Sequence, residues 1–409
     1  MSRTISIIGT GTGHSGILTE KATEIIKTAD EVYASGKIAG TLITLRKDWR
    51  VVPFSDMKEL AIESKKSHIA LLLEGDIGFF DKGEQLYNDL KKYADVKCYA
   101  GISSVQYLCA KTCQSYDKIY WLEYGKEDLL SAVSYNQRVA VLLSGDTIPD
   151  HICRKLCDAG LGDIRVTVGS RLATGRERIA QDEARLLRDY EFANPSVVII
   201  ENPNFHNRNA TLFDSELTMG ENAISQEIRW SALNLMRIRP TDNIINIGAG
   251  SGEMAVELAR TAYKGSVLAI EENKHEFDML LRNRETLGCY NIKALYGNSL
   301  EMLEHNIKFI PDAVFVGENV RGIKRILQSL KHKNDKIRVV IAANNLERLS
   351  EAQSALASLR FAAVEVSQLN ISRSKVMGKH TMMLASDTAF LLCGGKEPMN
   401  EKVVEEDNK

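Results

Sequence analysis

Apolar residues recur along the chain in two alternating rhythms, one of strands and one of helices. A short apolar run at 3–8 breaks into glycines. From 18 to 29 the apolar positions Leu18, Ala22, Ile25, Ile26 and Ala29 return at helical spacing, and 31–34 reads as a second strand. The runs 69–73 and 139–143 are continuously apolar. Glu74-Gly75-Asp76 ends the first and Ser144-Gly145-Asp146 the second, and 197–200 is the last strand of this half. Strands without polar alternation, set between helices, predict parallel sheets covered on both faces.

The rhythm then stops. Residues 201–217 contain Asn202, Asn204 and Asn207, a proline and no clear period, which marks a junction. Beyond it the pattern restarts with a helix at 226–236, a strand at 243–247, a glycine loop, a helix at 253–262 and a strand at 266–270. That is one βαβ unit of ordinary size. Strands at 313–316 and 338–342, and a closing pair at 364–370 and 389–393, complete a doubly wound sheet with an antiparallel edge. The expected division is a first domain at 1–203, a linker at 204–217, a second domain at 218–398 and a polar tail at 399–409.

Composition narrows the function classes. Lys plus Arg number 52 and Asp plus Glu 54, a net charge of −2, so no bulk field favours nucleic acid or an anionic membrane. The 7 cysteines are too sparse and too odd in number for a secreted disulfide scaffold. Cys109 with Cys113, and Cys153 with Cys157, stand four apart without a matching ligand pair and read as buried thiols. No apolar run reaches the roughly 18 residues of a membrane span, and no signal-peptide core follows the first strand. A soluble cytoplasmic protein is expected, without a nucleic-acid or membrane partner and without a metal site.

The sharpest motif is the strand-to-loop passage through Asn246, Gly248, Ala249, Gly250, Ser251 and Gly252. Glycines there let main chain approach a ligand, and the following helix start offers free N–H groups. The dinucleotide fingerprint needs a sixth-position glycine, where this chain has Glu253, a carboxylate that would repel a pyrophosphate. S-adenosylmethionine has no phosphate and tolerates it. Glu271 ends the next strand, where a carboxylate can accept both ribose hydroxyls. Asn298 follows the third strand, within reach of an adenine amino group. Together these point to a Rossmann-like methyltransferase domain. In the first half, Gly9, Gly11, Gly13 and Gly16 form a turn after the first strand. Gly75, Asp76, Ile77 and Gly78 form a second, and Gly101, Ile102, Ser103 and Ser104 a third. Small residues at successive strand ends suit a cleft in which backbone groups bind a ligand.

The ordered motifs resemble a known family. GTGTGH at 9–14, LLLEGDIGFF at 71–80, AGISSVQYLCAK at 100–111, LLSGDTIPDHICRKLCDAGLGD at 142–163 and VGSRLATGRERI at 168–179 resemble the tetrapyrrole methyltransferase fold. They are most similar to the cobalamin-biosynthesis enzymes that methylate carbon 5 of the corrin precursor. RIRPTDNIINIGAGSGEMAVELAR at 237–260 and QLNISRSKVMGKHTM at 368–382 are similar to the enzymes that methylate carbon 15 and decarboxylate an acetate side chain. Fusion of the two resembles the precorrin-6Y methyltransferase (decarboxylating) family over roughly residues 3–395.

The resemblance implies an α/β chain: a two-subdomain tetrapyrrole methylase fold, then a doubly wound class I methyltransferase domain. It implies two S-adenosylmethionine sites. One would involve Gly75, Asp76, Ile77, Gly78, Ser103 and Ser104, the other Gly248, Ala249, Gly250, Ser251, Glu271 and Asn298. Gly9, Gly11 and Gly13 would floor the tetrapyrrole cleft. His14, Arg171, Arg229, Arg321, Arg373 and Lys379 are candidates for the substrate's carboxylates, arginine being suited to bidentate contacts. Relatives of both domains commonly assemble, so a homo-oligomer is expected.

Several positions depart from the family pattern. Ile77 and Ala100 replace prolines, and Asn246 and Asn298 replace aspartates. Gly317, Glu318, Asn319, Val320, Arg321 and Gly322 replace a glycine-rich loop, and Ile224 and Ser225 a Thr-Lys pair. Glu318 brings a carboxylate toward an acidic substrate, with Arg321 able to offset it by pairing. Methyl transfer to an electron-rich ring asks mainly for proximity and orientation, and the sequence singles out no catalytic residue. Three readings follow: two active domains, an active first domain with a docking or cofactor-binding second one, and a nucleotide-binding regulatory protein.

Overall fold

The structure, a computed structural model, describes residues 3–78, 82–143, 148–208, 211–221, 223–305 and 309–395. The turn at Ser144-Gly145-Asp146 and the tail at 399–409 lie outside them. By internal contact the chain forms two compact units. One holds the residues up to Trp121 with Arg138–Glu201; the other holds Leu122–Gln137 with everything from Asn202 onward.

The first unit opens with five parallel strands, β1 (Thr4–Gly9), β2 (Glu31–Ala34), β3 (Arg50–Val51), β4 (His68–Leu73) and β5 (Asp95–Tyr99), ordered β3-β2-β4-β1-β5. Ile8, Ala70 and Leu72 meet Ala22, Ile25 and Ile26 of the helix Glu20–Thr28 on one face. Ile5, Ile7, Ile69 and Leu71 meet Leu86 and Leu90 of the helix Lys82–Leu90 on the other. Neighbouring strands β1 and β4 thus send their following helices to opposite faces. Their carboxyl ends diverge into a crevice, the usual place for a ligand in such a sheet.

A second sheet takes β6 (Tyr120–Glu123), β7 (Arg138–Leu142), β8 (Arg165–Ser170), β9 (Arg178–Glu183) and β10 (Ser196–Glu201) in the order β6-β7-β10-β8-β9. Here the parallel expectation fails. β10 runs antiparallel to both β7 and β8, and β8 antiparallel to β9. The apolar runs reported coverage rather than direction. Val139, Ala140, Val141 and all of 197–200 are buried, and the helices Ser104–Lys111 and Pro149–Asp158 both pack on β10.

The second unit is built on β11 (Ile244–Ile247), β12 (Val267–Glu271), β13 (Ile292–Tyr296), β14 (Ala313–Val316), β15 (Arg338–Ala343) and β16 (Glu365–Leu369). A separate hairpin of β17 (Ser372–Met377) and β18 (His380–Ala385) precedes β19 (Ala389–Gly394). The large sheet is ordered β13-β12-β11-β14-β15-β19-β16. It is parallel from β13 to β15, and β19 lies antiparallel to both neighbours. The expected antiparallel edge is present, but its two strands are linked through the hairpin. The order reverses at β11 and β14, which opens a crevice at their carboxyl ends.

The aperiodic stretch after β10 is not loose chain. The Asn202 side chain donates to Val133 O at 2.8 Å, His206 N–H to Ser134 O at 3.1 Å, and Leu212 N–H to Glu257 Oε1 at 2.9 Å. The helix Leu129–Tyr135 that receives two of these bonds is buried along its whole length. The cysteine expectation holds for Cys109 and Cys153, whereas Cys113 is exposed and Cys157 half-buried. Cys113 lies beyond the helix that ends at Lys111, so the four-residue spacing no longer keeps it on the buried face.

Candidate active site

In the first unit three turns close on one another through main chain. Gly11 N–H donates to Gly75 O at 2.9 Å and Gly75 N–H to Gly11 O at 2.8 Å. Gly101 fills the remaining space: a Cβ there would stand 2.5 Å from Gly75 O and 2.6 Å from Gly9 C and O. Asp76 fastens the same turns, accepting Gly78 N–H at 2.8 Å and Gly101 N–H at 2.9 Å. Gly9, Gly11, Gly75, Asp76 and Gly78 are therefore brought together with the turn at Gly101. Gly13 abuts Thr41, whose Oγ1 would lie 2.9 Å from a Cβ at that position. Ile77 packs against the core under β1 and β4, which accounts for an apolar residue in this turn.

Ser103 is buried, and its hydroxyl caps the helix Ser104–Lys111 by accepting Gln106 N–H at 3.1 Å. That leaves half-buried Ser104 as the more open of the two serines. His14 is exposed and its Nδ1 accepts Gly16 N–H at 3.1 Å, so a neutral ring carries its proton on Nε2, free to donate. Arg171 sits in a left-handed turn, φ 49°, after β8.

The second unit holds a cavity of about 360 Å³ at the carboxyl ends of β11, β12 and β14. Gly248, Ala249, Gly250, Glu271 and Asn298, all expected there, line it together with Glu318 and Arg321. Gly248 adopts φ 64°, and a Cβ would meet the Val320 side chain at 2.4 Å, so this glycine lets two loops pack. Gly250, φ 57°, is the one that opens toward the cavity, with only carboxylate oxygens 3.9–4.0 Å from its Cβ position. Ser251 is buried and supports the wall, its Oγ donating to Glu253 and accepting Gly220 N–H at 2.9 Å.

Glu271 is buried with its carboxylate fixed from two sides. Gly250 N–H donates to one oxygen and Asn273 N–H to the other, both at 2.7 Å. Further lone pairs of the same oxygens remain for hydroxyl donors. Glu253 accepts Ile224 N–H and the Ser251 hydroxyl, each at 2.8 Å, and burial pushes its carboxyl above the ordinary range. Asn298 is largely committed: Oδ1 caps the helix Ser299–His305 through Leu300 and Glu301, and Nδ2 donates to Glu272. Glu318 is also raised by burial, although Asn344 donates to it at 3.0 Å and Arg348 lies nearby. Its partner is thus Asn344 rather than Arg321, which stands exposed on the same loop. Asn246 is buried beneath the loop with both amide atoms unpartnered among the described residues.

Two candidate cations change role. Arg229 is wholly buried and bonds Asp214 at 2.7 Å, Ile224 O at 2.8 Å and Leu212 O at 2.9 Å, so it folds the entry segment, residues 212–214 and Ile224 ahead of the helix Gln226–Met236, rather than facing a substrate. Arg373 clamps Glu227 and Asp214, and both carboxylates hold its guanidinium more firmly protonated still. Lys379 lies exposed on the two-residue turn of the β17–β18 hairpin. Sequence reasoning missed Glu272, Asn273 and Glu276, which line the cavity. Glu276 stands in the first turn of the helix Lys274–Thr286, Asn273 caps that helix and Glu272 precedes the cap, all ordinary places for polar residues, so nothing in the sequence separated these from surface residues.

Comparison with known proteins returns two families. The tetrapyrrole (corrin/porphyrin) methylase family matches residues 4–187, and the precorrin methyltransferase domain family matches 217–390. The chain is similar to a protein of Saccharolobus solfataricus named "probable cobalt-precorrin-6B C(15)-methyltransferase (decarboxylating)". The two are 30% identical over 187 residues, 45% of this chain and 91% of that one. A protein of the same name from Sulfurisphaera tokodaii is 30% identical over 172 residues, 42% of this chain and 88% of that one. Among solved structures, a precorrin-6y C5,15-methyltransferase of Geobacter metallireducens is 22% identical with a TM-score of 0.42, covering 45% of this chain and 95% of that one.

Proposed function

Because the chain belongs to the precorrin methyltransferase family, with a tetrapyrrole methylase domain ahead of a precorrin methyltransferase domain, we propose that it methylates a precorrin twice. The first unit acts at carbon 5. The second acts at carbon 15 and removes carbon dioxide from an acetate side chain. Each unit takes its own S-adenosylmethionine. The observation that carries the reading is the second unit's cavity, where a glycine loop and the doubly anchored carboxylate of Glu271 meet at the sheet's switch point.

The residues present fit such a cofactor. Glu271 would accept the ribose hydroxyls, and the open face of Gly250 admits a ligand against main chain. Glu253 in the wall disfavours a phosphate-bearing competitor. In the first unit the free hydroxyl of Ser104 and the turn held by Asp76 would line the corresponding site. Bound cofactor supplies an electrophilic methyl group on a sulfonium. The chain's own work is then to hold the ring carbon in line and to exclude water.

Decarboxylation exchanges a carboxylate for a proton: the carbon–carbon bond breaks, carbon dioxide leaves, and the remaining carbon is protonated. Glu318 lines the cavity with its carboxyl raised toward holding a proton, and is the donor in this reading. Arg321, exposed and not ion-paired among the described residues, would take a peripheral carboxylate of the ring.

The test is incubation with precorrin-6 species, with and without cobalt, and isotopically labelled S-adenosylmethionine. Mass analysis should count two added methyl groups and one lost carbon dioxide. A single methyl group without decarboxylation would reduce the second unit to a binding module. Glu318→Gln should slow decarboxylation more than methyl transfer. Equal loss of both would remove Glu318 from the proton step.

A further inference from the structure

The second cavity carries a charge that its own residues leave unbalanced. Glu253, Glu271, Glu272, Glu276 and Glu318 line it, against Arg321 alone among the basic side chains of the described residues. Four of these carboxylates have donors. Glu253 takes Ile224 N–H and the Ser251 hydroxyl, and Glu271 takes Gly250 and Asn273 N–H. Glu272 is met by Asn298 and Glu318 by Asn344.

Glu276 differs. It is 8% exposed, and its carboxylate has neither a hydrogen bond nor an ion pair among the described residues. Folded proteins ordinarily give a largely buried carboxylate a partner, and this one borders the cavity. The carboxylate lies against two glycines: a Cβ on Gly220 would stand 2.1 Å from it, and one on Gly250 4.0 Å. It therefore flanks the glycine whose open side faces the cavity, in the company of Glu253.

We infer that Glu276 receives the α-ammonium group of the cofactor's amino-acid end. The inference rests on the reading of this cavity as an S-adenosylmethionine site. In that reading Glu271 holds the ribose. Two positive groups of that cofactor could answer an orphaned carboxylate, and their chemistry separates them. An ammonium brings three N–H donors in a compact charge, whereas a sulfonium brings charge but no donor. Glu276 lacks donors, so the ammonium is the complement. Glu253 already has two donors, and Glu271 keeps its remaining lone pairs for the ribose hydroxyls. Glu276 is accordingly a binding residue, which fixes the direction in which the amino-acid end runs and with it the position of the sulfur.

Calorimetry on the full chain tests this with two probes that share a neutral thioether. S-adenosylhomocysteine keeps the amino-acid end, and 5′-methylthioadenosine lacks it. The relevant site is the one lost in Glu271→Ala. Glu276→Gln should weaken S-adenosylhomocysteine there by about tenfold or more, as expected for a charge-assisted bond, and change methylthioadenosine by less than about twofold. Glu276→Asp should fall between parent and Gln variant. Should either variant be less stable to heat, the ratio of the two affinities still reads the subsite. Equal weakening of both probes would make Glu276 a support of the loop and overturn the inference, as would an unchanged affinity for S-adenosylhomocysteine. If the parent shows no site sensitive to Glu271, the cofactor reading beneath the inference falls instead.

Discussion

At the ends of β1, β4 and β5 the candidate site is made of main chain. Gly11 and Gly75 exchange hydrogen bonds, Gly101 fits against Gly9 and Gly75, and a single side chain, Asp76, ties the turns together. At the ends of β11, β12 and β14 the site is made of side chains. Carboxylates line the cavity, and the network of Arg229, Asp214 and Glu257 lies behind its entry segment. The two constructions fail differently. A backbone site tolerates changes in side chains that point away, such as Ile77, but cannot admit an extra carbon. A carboxylate site depends on the partner of every charge.

The largest expected effect follows from the second construction. Arg229 is fully buried, and its loss takes a buried partner from Asp214, Glu257 and the carbonyls of Leu212 and Ile224, leaving Asp214 with Arg373 and Glu257 with Leu212 N–H. Removing one member of a buried ion network costs on the order of 3–5 kcal/mol. Arg229→Met should therefore destabilise the second unit by about that much in urea unfolding. It should leave S-adenosylhomocysteine binding by the first unit intact. A change below about 1 kcal/mol would mean that the network is solvated and the contrast overstated.

Next comes the backbone site. Gly101→Ala places a Cβ 2.5 Å from Gly75 O, well inside non-bonded contact, with no flexible side chain to yield. Overpacking costs about 1–3 kcal/mol where neighbours can shift, and here the shift opens the crevice. Cofactor binding by the first unit should be lost in Gly101→Ala while Ala100→Ser, one residue earlier, changes it little. Equal tolerance of both would show that the turns are looser than their packing suggests.

The difference between the sites also explains what the sequence disclosed. Glycines at strand ends and the acidic residue closing β12 are local signals, and both led to residues that meet in space. Strand direction in the second sheet was not legible. Burial on both faces writes the same apolar run at 139–143 whether neighbours run parallel or antiparallel. The β17–β18 hairpin was missed because its residues are exposed on both faces, so no alternation of apolar and polar positions announces it. Arg229 looked like an anion ligand because sequence shows charge but not burial. Glu276 was invisible for the converse reason: on a helix's first turn, a carboxylate aimed inward and one aimed at water read alike.

A smaller effect separates the charges within the second site. Glu253 is buried, and burial raises its carboxyl despite bonds from Ile224 and Ser251. A carboxyl raised in the folded state contributes stability that is fully present below its unfolded value. That contribution is lost as pH rises through the raised one. The parent should therefore lose stability on going upward from the ordinary value of 4.5. Glu253→Gln, which cannot ionise, should lack this part of the slope, so its advantage should grow with pH. The advantage should grow until pH passes the raised value and level off above it. Glu257 is raised by burial too and should leave a residual slope in the same direction. A variant whose stability runs parallel to the parent's across this range would show that Glu253 keeps its charge solvated.

The smallest effect concerns Asn246, the one polar side chain beneath the glycine loop whose amide finds no partner among the described residues. It lies on β11 between Ala269 of β12 and Phe315 of β14, in an apolar setting. An unmatched buried amide forfeits about 1–3 kcal/mol of solvation, whereas an apolar group of similar shape can be neutral or stabilising. Valine suits a central strand and removes both unmatched atoms. It is somewhat bulkier than asparagine and branched at Cβ, so part of the gain is offset by repacking around it. Asn246→Val should therefore change stability by no more than about 1 kcal/mol, with the balance toward stabilisation. S-adenosylhomocysteine affinity at the Glu271-dependent site should be unchanged, because the side chain does not line the cavity. Retained stability with weakened binding would instead make the amide part of the ligand's hydrogen-bonding shell. The second site would then reach one layer deeper into the sheet than its lining residues indicate.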